Sequence, residues 1–197
     1  RTTWNDYDDG LISEGGGVFS RTAKSIPLTP QVQSMLGVEM DEMAADDVVT
    51  AILRIEADLL WNGGIGTYVK ASYETHRDAG DSANDSLRVN ADELRFRVVG
   101  EGGNLGFTQA ARVEFASKGG RINSDAVDNS GGVDMSDHEV NLKILFASLE
   151  RSGAITREER DATLLSIAEQ VSDDVQRNNH DHSLMISLDV ARSAEAL

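Results

Sequence analysis

Three short loops, each closing an apolar run, carry the residue types that can meet a nucleotide or an anionic substrate. GEGGNLG follows FRVV and sets Gly100, Gly102 and Gly106 in a G-x-G-x-x-x-G spacing ahead of a helical stretch, with Asp125 further on. Glycines at such a turn let the backbone approach a pyrophosphate, whose charge suits a helix N-terminus, and a later acid can hold a ribose. The spacing misses G-x-G-x-x-G because Leu105 stands at the sixth position, and a tight strand-to-helix turn is the plainer reading. DNSGGVDMSDHEVNLKILF joins Asn129, Gly131, Gly132 and Ser136 to an acid-rich first turn. Either Asn129 or Ser136 can cap that helix, and Ser136 with Glu139 matches a capping box. The acids then offset the macrodipole; alternatively the helix start faces an anionic substrate. Asp134, Asp137, His138 and Glu139 point in different directions on a helix, so no metal is expected there. NGGIG, after DLLW, is the third loop.

The remaining candidates read as structure. Gly15 to Gly17 form a plain turn rather than a phosphate cradle, because no convincing strand precedes them. His180 and His182 in NNHDHS suggest a solvated loop, His76 is uninformative, and Trp4 and Trp61 suit packing better than a cofactor platform.

The elements that must position these loops alternate. Residues 1–45 hold both prolines and the triple glycine and predict a long ordered loop. A helix is expected from Asp46 or Asp47, whose carboxylates can cap it, with Val48, Val49, Ile52 and Leu53 as its stripe. DLLW (58–61), FRVVG (96–100) and RIN (121–123) read as strands. A helix is expected over 83–89 and another from Thr108 to Ala116, stopped by Gly119 and Gly120. Strands separated by helices give successive βαβ units, an α/β fold with a parallel sheet, and ligands bind outside the carboxyl ends of its strands. After Leu149 the pattern is helical: Thr156 and Glu159 form a capping-box signature, and stripes run through Leu164, Ala168 and Val175 and from Leu184 to Val190.

Bulk properties narrow the function. Asp and Glu number 34 against 18 Lys and Arg, a formal charge of −16, so no broad basic face exists for nucleic acid or an anionic membrane. No cysteine is present, which removes disulfides and thiolate metal sites, and no apolar run approaches the ~20 residues of a membrane span. A cytoplasmic location is expected. The start at Arg1 and the stop at RSAEAL, inside a helical pattern, predict a piece of a longer chain.

SEGGGVFSRTAKSIPLTP, DLLWNGGIGTYVKAS, VVGEGGNLGFTQAARVEFA and DNSGGVDMSDHEVNLKIL, in this order, resemble the large bacterial NAD-specific glutamate dehydrogenases over roughly residues 4–150. The tail resembles them more loosely. The resemblance implies a Rossmann-like parallel sheet flanked by helices and a helical C-terminal segment. It divides the chain into a Gly/Pro-containing lead-in (1–45), the later part of an NAD-binding domain (46–150) and a truncated helical segment (151–197). It further implies NAD as cofactor, L-glutamate and 2-oxoglutarate as ligands, a missing upstream half as partner, and a homo-oligomeric parent.

A more distant similarity to the small hexameric glutamate dehydrogenases suggests roles by residue. DLLWNGG places Gly63 and Gly64 along the cofactor, EGGN places Asn104 near the nicotinamide ribose, and NSGGVDMS places Asn129 by the nicotinamide with Val133 and Ser136 beside the substrate. On this reading the helix begins near Gly131 and Gly132, and the pyrophosphate fingerprint lies upstream of Arg1. Two positions depart: Asn62 stands where the small enzymes carry proline, and Ser82 where the large family suggests a basic residue. The catalytic lysines and aspartate of such enzymes belong to a substrate domain outside this chain, so no catalytic residue is assigned and the chain alone is expected to be inactive. Competing readings are a different nucleotide-binding α/β enzyme that uses GEGGNLG for pyrophosphate, and a non-catalytic acidic interaction module.

Overall fold

The computed structural model describes residues 3–195, with the side chains of 5, 194 and 195 left out. They form two units: the chain up to Gly100 together with Leu105–Ile122, and Glu101–Asn104 together with the chain from Asn123 onward.

In the first unit, 3-10 turns at Trp4–Asp6 and Asp9–Leu11 precede strand β1 (Ile26–Pro27), helix α1 (Pro30–Leu36), strand β2 (Glu42–Met43) and helix α2 (Ala45–Ile52). The lead-in is therefore not loop throughout. β1 pairs antiparallel with β2, and α1 carries its own punctuation. Thr29 accepts from the Val32 N–H at 3.3 Å, Pro30 opens the helix, and Gly37 closes it at φ 70°. Proline at the first helical position and glycine past the last suit the unpaired groups at the two ends. α2 starts at Ala45 rather than being capped by an aspartate; Ala44 is its N-cap, without a side-chain bond. Asp46 and Asp47 instead sit in the first turn, where negative charge meets the helix dipole, and Asp46 accepts from the Ser86 hydroxyl at 2.8 Å.

Strands β3 (Glu56–Asn62), β4 (Val69–Lys70), β5 (Val89–Asn90), β6 (Arg95–Glu101) and β7 (Arg121–Ile122) follow, interleaved with helices α3 (His76–Ala79) and α4 (Gln109–Ser117). β6 lies between β3 and β7 and pairs parallel with β7 through Val98–Arg121 and Val99–Ile122, so β6, α4 and β7 make a βαβ unit. The helix expected over 83–89 is absent. A 3-10 turn at Ser82–Asn84 leads instead into β5, which pairs parallel with β4, Val69 opposite Val89. Val89 is 1% exposed, and that buried pairing overrides the local helical pattern. α4 forms as expected, Thr108 accepting from the Ala111 N–H at 3.0 Å, with Gly119 at φ 93° beyond its end. Val69, Val89, Val99, Phe107, Ala111 and Phe115 are the centre of the core. Burying each large apolar side chain contributes about 1.5–3 kcal/mol.

The second unit is helical: α5 (Asp125–Asp128), α6 (Asp134–Arg151) and α7 (Arg157–Glu195), with α6 packed against α7. The expected capping box at the start of α7 is formed. The Thr156 N–H donates to Glu159 Oε2 at 2.8 Å, and the Glu159 N–H to Thr156 Oγ1 at 3.2 Å. His180 and His182 stand within α7 rather than in a loop. No glycine or proline interrupts that stretch, and the asparagines that would favour a turn are used elsewhere: Asn178 donates to Asp134 at 2.9 Å and Asn179 to the Val127 carbonyl at 2.7 Å. The architecture is α/β: a Rossmann-like partial sheet flanked by helices and followed by C-terminal helices.

Candidate functional site

In the first unit, β3 delivers the chain into the NGGIG loop. Gly63 and Gly64 are exposed, and a Cβ there meets nothing nearer than the Trp61 ring at 3.7 Å or the Tyr68 hydroxyl at 3.9 Å. The protein's own packing therefore does not demand glycine at either position. Asn62 beside them is half-satisfied. Its Oδ1 accepts from the Gly64 N–H at 3.4 Å, while its Nδ2 is shielded from solvent without a hydrogen-bond partner. A buried donor left unpaired costs about 1–3 kcal/mol. Asn62 also lines a cleft of about 220 Å³ whose walls include Leu60, Trp61, Tyr68 and Phe107. An orphaned donor, an apolar cleft and glycines without a packing role together fit a flat cofactor that carries an acceptor. Trp61 is 60% exposed, yet its ring lies against Gly100, where a Cβ would meet it at 2.5 Å; Trp4, 76% exposed, meets Tyr7.

The GEGGNLG loop does not offer the pyrophosphate site its glycines suggest. Thr108, the N-cap of α4, donates its hydroxyl to Glu74 Oε2 at 2.5 Å, and Glu74 Oε2 also accepts from the Ala71 N–H at 2.7 Å. A carboxylate thus stands at the helix start where a phosphate would need positive potential. Leu105, at the position a fingerprint gives to glycine, takes the left-handed conformation at φ 56°.

The second unit brings Asn104, Asn129 and Gly132 together. The Gly132 N–H donates to Asn129 Oδ1 at 3.0 Å, which fixes the orientation of that amide; Asn129 Nδ2 then donates to Asn104 Oδ1 at 2.6 Å. Asn129 is occupied on both sides, and Asn104, itself exposed, uses its Oδ1 in this pair. A Cβ at Gly132 would meet Asn129 Nδ2 at 2.2 Å and Asn104 Oδ1 at 2.9 Å, so only glycine leaves room for the pair. Asp128 braces the same corner: Oδ2 accepts from the Glu101 N–H at 3.0 Å and Oδ1 from Asn123 Nδ2 at 3.2 Å.

α6 begins at Asp134 with Val133 as N-cap, so Ser136 is the third helical residue and caps nothing. The helix starts slightly later than Gly131 and Gly132, because the Asn129–Gly132 turn takes up those residues. Ser136 is half-buried, and no hydrogen bond of its hydroxyl is found among the described residues.

Sequence reasoning missed several supporting residues, Asp128, Glu74, Thr67, Asp81 and Arg88. None belongs to a spaced motif. The available signal was Arg88 itself, a lone cation between two apolar residues in SLRVN, which is buried with a fully enclosed side chain. Asp81, near it, is held below the usual carboxylate range by hydrogen bonds from the Asn84 amide and the Thr67 N–H and by the Arg88 charge.

Comparisons with known proteins give the family. The family model described as bacterial NAD-glutamate dehydrogenase, catalytic domain, matches residues 1–189. NAD-specific glutamate dehydrogenases of Pseudomonas aeruginosa and Mycobacterium tuberculosis are each 51% identical to the chain over its full length, and that of Halomonas elongata is 48% identical over 95% of it. The chain spans 12% of the length of each of these relatives. With nearly the whole chain matched, it belongs to the bacterial NAD-glutamate dehydrogenase catalytic-domain family.

Proposed function

We propose that the protein carrying this chain oxidises L-glutamate with NAD, yielding 2-oxoglutarate and ammonia, and that this chain supplies the nicotinamide end of the cofactor site and part of the glutamate site. The carrying observation is identity at about half of all positions, over the chain's full length, with enzymes named for NAD and glutamate. Family membership sets aside a different enzyme class and a non-catalytic module.

NAD, when bound, would supply the acceptor for the hydride of the glutamate Cα, and a water would be consumed in releasing ammonia to leave 2-oxoglutarate. The chain's own residues bind and orient. Gly63 and Gly64 leave a surface that a planar ring can approach closely. Asn62 Nδ2 offers an unpaired donor beside it. Asn104 Nδ2 donates to the ribose end, its direction set by Asn129, which the Gly132 N–H holds in turn. Val133 and Ser136 meet the substrate, Ser136 as a donor to a glutamate carboxylate from the first turn of α6. The proton-transfer residues belong to a substrate domain that this chain does not include. The same reading places the protein in the cytoplasm as a homo-oligomer; no helix of the described residues is long and apolar enough to cross a membrane.

Steady-state kinetics of the full-length enzyme test both contacts. Hydrogen bonds to charged groups contribute about 1.5–3 kcal/mol, so Ser136→Ala is expected to lower kcat/KM for glutamate roughly tenfold to a hundredfold. Asn104→Ala is expected to raise KM for NAD while sparing glutamate. Normal kinetics with a lowered Tm in both variants would return these residues to a purely structural role.

A further inference from the structure

We propose that Thr67 is the positioning residue that locks the end of the NGGIG loop to Leu105 and Gly106, ahead of α4, and that the buried Arg88 holds Thr67 in place to do so. The inference rests on the cofactor role given above to these loops. Thr67 is 5% exposed, and each of its polar groups is committed. Its hydroxyl donates to the Leu105 carbonyl at 2.7 Å, its N–H donates to Asp81 Oδ2 at 2.8 Å, and its carbonyl accepts from Arg88 Nε at 2.7 Å. The hydroxyl bond falls on the one described non-glycine residue with positive φ, Leu105 at 56°. Left-handed backbone at such a residue is disfavoured and persists where its surroundings hold it. The bond therefore does more than fill a polar gap: it fixes a strained residue next to Asn104.

The clamp continues down the chain. The Tyr68 and Val69 N–H groups both donate to the Gly106 carbonyl, at 2.9 and 3.2 Å, and the Thr108 N–H donates to the Val69 carbonyl at 3.0 Å. Residues 67–69 are thus zipped onto 105–108, and whatever moves Thr67 moves the end of the second loop, Leu105 and Gly106. On its other side Gly66, at φ 129°, leaves no space for a side chain, since a Cβ would lie 2.5 Å from Asn84 Nδ2. The first glycine loop ends against that wall.

Arg88 is the fixed point behind the clamp. No part of its side chain is exposed, and its Nη1 donates to Asp85 Oδ1 at 2.5 Å and meets His76 Nδ1 at 3.1 Å, while Nη2 donates to the Asp81 carbonyl. A planar fork that satisfies acceptors from three segments holds geometry that a lysine, one point charge on a flexible stem, does not reproduce.

The test is a kinetic series in the full-length enzyme. Thr67→Val keeps the shape and removes the hydroxyl; KM for NAD is expected to rise about tenfold, with KM for glutamate within twofold of normal. Thr67→Ser restores the hydroxyl and is expected to recover KM for NAD to within twofold. In a Leu105→Gly background, where left-handed backbone costs nothing, the Thr67→Val effect is expected to shrink by at least half. Arg88→Lys is expected to shift KM for NAD in the same direction as Thr67→Val. An unchanged KM for NAD in Thr67→Val, equal impairment in Thr67→Ser, or a Thr67→Val effect of full size beside Leu105→Gly overturns the coupling. If Thr67→Val is too unstable to assay, Thr67→Ser and Leu105→Gly decide: full loss of NAD affinity in the serine variant overturns it. Asn104→Ala run alongside reports on the underlying reading by itself, because a raised KM for NAD there with none in Thr67→Val leaves the cofactor assignment standing and removes only the clamp.

Discussion

The two units hold their candidate site residues by opposite means. In the first, a buried cluster around Phe107 and Val69 is joined to side-chain bonds that reach far along the chain, such as Thr67 to Leu105 and Arg88 to Thr67. In the second, Phe146 and Val175 are the buried apolar side chains among the described residues, while Ile144, Leu165, Met185 and Val190 are more than half exposed. There the site rests on a short turn, Asn129 to Gly132, on the Asn129–Asn104 pair and on the bonds that Asp128 accepts from Glu101 and Asn123. Apolar packing thus decides the position of the NGGIG loop, whereas a few hydrogen bonds around a turn decide that of Asn129.

The largest expected effect separates the two cores. Phe107→Ala, at a site 2% exposed, is expected to destabilise the first unit by about 3–5 kcal/mol, and Phe146→Ala, 8% exposed with few buried neighbours, by less than half as much. Chemical denaturation of both variants measures the two; equal losses would break the comparison.

A smaller effect sharpens what the exposed loop is for. Because a Cβ at Gly63 meets nothing closer than 3.7 Å, Gly63→Ala is expected to leave Tm unchanged. It is expected to raise KM for NAD several-fold, as a methyl group stands where a ring should approach. A fall in Tm without a kinetic change would mean that the glycine serves the fold.

The smallest effect is on acid stability. The folded-state pKa of Asp81 is depressed below its ordinary 3.8, chiefly by the Asn84 amide and the Thr67 N–H, so its ionised form stabilises the fold. That contribution is complete above the ordinary value and is lost as pH falls through the folded one. Asp81→Asn is therefore expected to flatten the decline of Tm below about pH 4. Thermal melts from neutral to acid pH of the variant and the parent check this, and parallel curves would assign the acid limb to other carboxylates.

Much of this protein was legible from its residues. The strands at DLLW, FRVVG and RIN, the Thr108 cap, the stop at Gly119 and the capping box of Thr156 and Glu159 all depend on interactions within a few residues, and such interactions are written in local order. The same holds for α1, whose signals Thr29, Pro30 and Gly37 stood in the sequence unread. The family, too, followed from the order of four loops. Tertiary structure alone decided the rest. Residues 89 and 90 became a strand because Val89 found Val69, and the start of α4 was closed to phosphate because Glu74 reached Thr108 from a distant turn. Arg88 became the support of a loop because Thr67 and the Asp81–Asp85 turn brought it acceptors. Each of these outcomes depends on which segment arrives opposite a given residue, and no local period or spacing records that; it is settled only when the whole first unit closes on its core.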